Sequence, residues 1–536
     1  MTTLRFGWLS VLLCLFLTGC GRAPEAPAAG AVEAPSAPKA AIEPLRILAG
    51  SENKILEPTL AAFTKSSGVP VEMVYRGSVD IMLELQNGAA AYHAVWPANS
   101  LWIELSGNKA VRGATSITRS PVVFGIKRSK VAKLGLVAGQ PLPIRRMLEL
   151  ARSGQLRFLM TSPTQSNSGA MAFLGGLHAL VGREDAVTQT DLESPELGKN
   201  IQDFLAAVDR TSASSGWLKD LYVGNPGLFD ALVNYEATLI EANQELVAKK
   251  EEPLIVFYPA DGQAIADSPL AFLARDDNSR EADFNALRDY LLSPAVQSRL
   301  GELGRRTGLV GTETIASAFK PEWGLDTTRI LQPFPLPAAP VVRSALGLYQ
   351  TTFKRPSLTA FVLDFSGSMQ GVGERQLKSA MQLILVEEEA NKYLLRTGRR
   401  DVTLVVPFDG KPRPFQSAAG NDPAQLDGLR TFVQQQQVGG GTDIYAGARA
   451  ALAELAKHKG VEDYQTAIIL MTDGKSEGSF DDFKRDWEKN PVPVFTIMFG
   501  QADPTQLERI SKLTRARSFD GRKDLVAAFR EARGYN

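Results

Sequence analysis

Residues 358–368 place an apolar, β-branched and aromatic run directly before a carboxylate and two hydroxyls spaced Asp364-x-Ser366-x-Ser368. A run of that length with no alternating polar positions suits a strand buried on both faces, a type found in parallel sheets covered by helices. It commits this part of the chain to an α/β architecture and sets the polar residues at the strand's carboxyl end, where open α/β sheets bind ligands. Hydroxyl and carboxylate oxygens without a neighbouring His or Cys suit a hard divalent cation, Mg²⁺ first and Mn²⁺ or Ca²⁺ next, and not zinc.

Three residues do not fill an octahedron, so further oxygen ligands are expected at the ends of later strands. Thr442 lies on the glycine loop 439–441, immediately before a helical pattern over 445–459, and residues 467–473 form a second strand ending in Asp473. A lone Asp-x-Ser-x-Ser is usually a capped turn; three pieces in this order, each after a plausible strand, are not explained that way. Asp364, Ser366, Ser368, Thr442 and Asp473 together match the metal-ion-dependent adhesion site (MIDAS) pattern, and the chain from about residue 358 to its end resembles a von Willebrand factor A (VWA) domain, a doubly wound, Rossmann-like fold. The resemblance implies that Ser366, Ser368 and Thr442 hold the metal directly, while Asp364 and Asp473 act largely through water or hydroxyl hydrogen bonds. Neutral ligands leave the cation poorly compensated, so its open position is expected to attract an acidic side chain from a partner protein. Nothing nearby supplies a nucleophile and base pair for hydrolysis, and no Walker loop is present, so no catalytic residue is assigned and binding is expected in place of an enzyme activity.

At 536 residues the chain is long enough for two to four folding units. Lys plus Arg equals Asp plus Glu at 59 each, so no global charge directs it to nucleic acid or acidic lipid, and no nucleic-acid motif appears. The three histidines, His93, His178 and His458, lie far apart and are given no role.

Arg5, the apolar residues 6–17 and Leu17-Thr18-Gly19-Cys20 resemble a bacterial lipoprotein signal with its lipobox. The apolar run is shorter than the roughly 20 residues that span a bilayer, which favours a cleaved segment over 1–19. Cys20 would then carry lipid, and with Cys14 removed the exported protein would hold no disulfide. Gly21, where family sorting rules look for Asp as an inner-membrane signal, favours the outer membrane in an organism that has one. Residues 20–44 are Ala- and Pro-rich without periodicity, a tether extending at ~3.1 Å per residue.

From residue 45 strands alternate with helices: a strand over 45–50, a helix to about 66, a strand over 69–75, and a helix opened by Gly77-Ser78. Repeated strand, Gly/Ser loop and helix mean parallel α/β architecture, and each loop serine sits where unpaired N–H groups attract anions. Helix capping explains any one of these serines as well. Residues 120–126 suit a strand crossing to a second lobe. That lobe would contain 158–163, an apolar helix over 170–181 and the Asn234-Tyr235-Glu236 segment. Tyr258-Pro-Ala-Asp261-Gly262 and Asp267-Ser-Pro269 suit the return crossing. Residues 45–335 resemble a type II periplasmic solute-binding protein, nearest the molybdate- and phosphate-binding branch. The resemblance places ligand contacts at Ser51, Ser78, Ser168 and Tyr235, for a small oxyanion or carboxylated solute, while Trp96 is expected to narrow or cap the cleft.

Residues 336–356 are expected to be a linker packed against one module, since Leu346, Leu348, Tyr349 and Phe353 are too apolar for a free tether. The VWA domain, 357–536, is expected to continue through one helix over 374–395, strands over 402–408 and 492–499, and terminal helices from 505 and 523. The whole describes a lipid-anchored, extracytoplasmic binding protein of the cell envelope. The alternative is a substrate-binding receptor of an ABC-type transporter, with the VWA domain as an accessory dock.

Overall fold

Short apolar strands and the helices between them assemble into three sheets, each with helices packed on its faces. The computed structural model describes residues 43–307, 317–522 and 524–534; the expected signal segment, Cys20 and the tether up to residue 42 lie outside these. The first sheet has the order Val71–Arg76, Leu45–Gly50, Ala94–Trp96, Pro269–Leu273, Val111–Ser116. Its first three strands are parallel, and Pro269–Leu273 runs against both neighbours because it enters from the second lobe. In the second sheet Ser120–Lys127 pairs antiparallel with Ala231–Tyr235, Leu254–Phe257 and Ala264–Ala266. Phe158–Leu159 and Val208–Arg210 extend it. No helix among the described residues is long and apolar enough to cross a membrane.

The lobes are joined by three chain segments lying side by side. Ile117 N–H donates to Ser268 O at 3.2 Å, and Arg119 and Arg306 exchange backbone hydrogen bonds at 2.7 and 3.2 Å. Ser268, at φ +44°, holds the left-handed region without being glycine, a local cost of about 1–2 kcal/mol carried at the crossing. Beside it the Arg306 guanidinium pairs with Glu236 at 2.7 Å, with side-chain exposures of 1% and 0%, and Tyr258 Oη donates to the same carboxylate.

The third sheet has the order Gln416–Ala419, Val402–Phe408, Ser357–Asp364, Gln465–Thr472, Val494–Met498, Ser518–Asp520, parallel except for its first edge strand. Every residue of Ser357–Asp364 is buried, as its unbroken apolar run requires. The helix expected over 374–395 is two, Val372–Leu385 and Glu387–Lys392. Val386 between them is extended, at φ −104° and ψ 117°, and the three glutamates after it sit at the new helix N-terminus, where the dipole favours acids. Residues 339–353 are a helix and a π-helical turn. Val342, Leu346, Tyr349 and Phe353 enter the second lobe's core, with Tyr349 and Phe173 rings 5.5 Å apart. The described residues from Pro44 onward form one compact unit.

Candidate functional site

Asp364 is the last residue of its strand and is fully buried. Its Oδ1 accepts from the Ser366 backbone N–H at 2.8 Å, and its Oδ2 accepts from Thr472 Oγ1 at 2.5 Å. Parallel pairing through Leu363 and Met471 brings the two strand ends together, which sets Asp473 next to the Asp364 turn. Ser366 and Ser368 hydroxyls lie 3.1 Å apart, and Ser368 Oγ donates to Asp473 Oδ1 at 2.7 Å. The fifth residue arrives on the glycine loop: a Cβ built on Gly474 would lie 3.0 Å from Thr442 Oγ1 and 3.2 Å from Ser368 Oγ. That loop is fastened by Gly367 N–H to Gly440 O at 3.1 Å and Asp443 N–H to Asp409 O at 2.9 Å. Asp364, Ser366, Ser368, Thr442 and Asp473 therefore share one cluster at the sheet's carboxyl edge.

Burial raises the carboxyl of Asp364 above the ordinary range, against the hydroxyl and N–H donors of Ser366 and Thr472 that favour its anion. Burial does the same to Asp473, against Ser368. The groups acting on the two carboxylates are hydroxyls, backbone and, for Asp364, the other carboxylate, with no cationic side chain among them. The cluster thus sets two carboxyls and three hydroxyls together with no cationic side chain, and these oxygen donors fit a hard divalent cation. A serine hydroxyl that donates to a carboxylate keeps lone pairs for a cation, so Ser368 can serve both at once. Thr472 is a member that sequence reasoning missed; its signal was its place beside Asp473 at the end of an apolar run.

The residues expected to contact a solute do not share a cavity. Ser78 Oγ accepts from Ala98 N–H at 3.0 Å inside the first lobe. Ser168 Oγ lies 2.8 Å from Thr161 Oγ1 and 2.9 Å from Ser215 Oγ, and Tyr235 Oη accepts from Asn167 Nδ2 at 3.1 Å. Ser168 and Tyr235 are thereby brought together in the second lobe, while Ser51 opens on a cavity of about 880 Å³ lined by both lobes, with Glu52 and Arg76 from the first, Trp217 and Glu241 from the second, and Glu531 of the VWA domain at its border. The lobes meet directly: Val79 N–H donates to Gln165 O at 3.0 Å and Trp102 Nε1 to Asn167 Oδ1 at 2.7 Å. Gly77 permits this approach, since a Cβ there would lie 2.1 Å from Gln165 O. A second, smaller cavity of about 10 Å³, bordered by Glu52, Tyr235, Ser268 and Arg305, has room for about one water. Trp96 does not cap the cleft: its indole is buried in the first lobe's core, and its Nε1 donates to Ser268 Oγ at 2.9 Å. Sequence reasoning also missed Glu52, which burial pushes up to about 7 while the Arg305 charge opposes the shift.

Residues 45–306 match the family model for bacterial extracellular solute-binding protein, and residues 359–518 match that for the von Willebrand factor type A domain. Among curated proteins, inter-alpha-trypsin inhibitor heavy chain H1 of Bos taurus is 29% identical over 157 residues, covering 26% of this chain and 16% of that protein's length. Among solved structures, the ferric binding protein from Campylobacter jejuni aligns with a TM-score of 0.41 and 12% identity, over 57% of this chain and 98% of that one. A von Willebrand factor type A structure from Catenulispora acidiphila aligns with a TM-score of 0.28 and 17% identity, over 34% and 43%. The chain carries a two-lobed solute-binding-type domain followed by a Rossmann-like VWA domain.

Proposed function

We propose that this chain is an extracytoplasmic, membrane-anchored binding protein whose VWA domain, residues 357–536, captures a partner through a divalent cation. The carrying observation is the convergence of Asp364, Ser366, Ser368, Thr442 and Asp473 at one sheet edge. Ser366, Ser368 and Thr442 would hold Mg²⁺, or Mn²⁺ or Ca²⁺, with Asp364 and Asp473 balancing its charge, and the bound ion would supply an electrophilic contact for an acidic side chain of a protein partner. The extracellular solute-binding family match to residues 45–306 supports an extracytoplasmic location and a small-solute role for the first domain. A solute such as an oxyanion or a carboxylate would have room in the cavity of about 880 Å³ lined by both lobes. A solute that binds and stabilises the first domain should add about 2.7 kcal/mol at 100-fold excess over its dissociation constant, visible in a thermal-shift screen.

The test of the cation reading is Mn²⁺ binding followed by electron paramagnetic resonance, with circular dichroism and partner capture from envelope extracts with and without EDTA. Wild type should take up one ion and lose its partner in EDTA; Asp364→Ala should lose ion and partner together while keeping its fold. Thr442→Ala should weaken partner capture more than ion retention. Partner capture that survives EDTA and both substitutions refutes metal-dependent adhesion.

A further inference from the structure

The helix Leu525–Arg533 at the end of the VWA domain has two occupied faces. One carries Leu525, Ala528, Phe529 and Ala532 into the VWA core, where the Phe529 ring lies 5.8 Å from Phe361. The other meets the solute-binding domain. Arg530 Nη2 donates to Asp80 Oδ1 at 2.7 Å, with side chains only 11% and 7% exposed, and Arg76 pairs with Glu531 at 2.8 Å. Asp80 and Arg76 belong to the first lobe. From the second lobe, Gln165 Nε2 donates to the Arg530 carbonyl and Thr211 Oγ1 to the Gly534 carbonyl at 3.2 Å.

One helix therefore holds both lobes, and the three bodies meet at Gln165. Its backbone carbonyl receives Val79 N–H from the first lobe, and its side chain reaches the VWA helix. We infer that this helix is a strap that holds the two lobes in contact, so that parting the lobes and undocking the VWA helix are one equilibrium. This holds whether or not the sheet edge of the VWA domain binds a cation.

The chemistry of the contact suits release. Asp80 Oδ2, Arg530 Nε and Gln165 Oε1 are buried without a hydrogen-bond partner. A buried ion pair gains little once desolvation is counted, and less with its remaining donors and acceptors unsatisfied. The same pair is costly to break on one side only, because the group left behind stays buried and uncompensated. Such a contact gives two states, docked or fully parted.

The test uses amide hydrogen exchange on the full chain. Val79 lies in the first turn of helix Ser78–Gln86, where N–H groups have no partner within the helix, so its protection reports the bond to Gln165 across the lobes. Arg530→Glu, which sets two carboxylates face to face, should speed exchange at Val79 and in 525–533 together by tenfold or more. Small-angle scattering should show an increased radius of gyration. Adding Asp80→Arg should restore protection at both places. Glu531→Arg, facing Arg76 at a more open position, should produce the same paired change at smaller amplitude. Faster exchange in 525–533 with Val79 unchanged, in either single variant, overturns the strap. So does a double variant with a native circular dichroism spectrum in which both segments stay fast.

Discussion

Gly474→Ala tests the candidate metal cluster without altering any of its five oxygen-bearing side chains. The added methyl would stand 3.0 Å from Thr442 Oγ1 and 3.2 Å from Thr442 Cγ2 and Ser368 Oγ. Carbon and oxygen normally rest near 3.4 Å or beyond, so each hydroxyl has to retreat by about 0.2–0.4 Å. Coordination distances tolerate about 0.2 Å, so the displaced hydroxyls leave the range in which both can hold one ion. Overpacking of this kind costs about 1–3 kcal/mol, and part of that falls on folding. If about 1.4–2.7 kcal/mol falls on the bound state, the dissociation constant for Mn²⁺ rises about 10- to 100-fold. Paramagnetic resonance titration reads that change, and circular dichroism with a melting curve confirms that the fold remains. Glycine at this position has no positive φ to protect, so the backbone accepts alanine and the effect is confined to space at the cluster. Wild-type Mn²⁺ affinity in a folded Gly474→Ala protein would show that Thr442 and Ser368 do not jointly face the ion.

The raised Glu52 carboxyl favours the fold when protonated, so its contribution is full below about pH 4.5 and is lost as pH rises through about 7. Glu52→Gln should therefore melt higher than wild type at pH 8, by an amount equivalent to about 3 kcal/mol, with the gap closing toward pH 5; a gap independent of pH refutes it. Arg306→Met strands the buried Glu236 carboxylate and should cost about 3–5 kcal/mol by denaturant unfolding of the first domain, with part of the loss recovered when Glu236→Gln is added. Cys20→Ala should release the protein from the membrane fraction and abolish metabolic lipid labelling; unchanged membrane association rejects the lipobox.

The grouping of the candidate cluster was legible because its residues interrupt apolar runs: Asp364 and Asp473 end buried strands, and Thr442 precedes a helix, so strand order alone brings them together. The residues expected to contact a solute were less legible because a serine at a helix start serves the protein's own backbone as readily as a ligand. Ser78 answers Ala98 N–H, and Ser168 answers Thr161 and Ser215. The strand Gln416–Ala419 has no β-branched residue and exists through its pairing with Val402–Val405. Val386 looked like one more apolar position of a helix, and only its backbone shows the break. The contact of Asp80 with Arg530 spans 450 positions, beyond the reach of any local pattern.

The three segments at Ile117–Arg119, Ser268 and Arg306 form a hydrogen-bonded ribbon, not a pair of loose threads. A ribbon flexes readily across its thin dimension and resists both shear in its plane and torsion along its length. Such a connection favours rotation between the lobes about one axis, like a door on a wide leaf hinge. A pair of spectroscopic labels across the cleft would follow that angle.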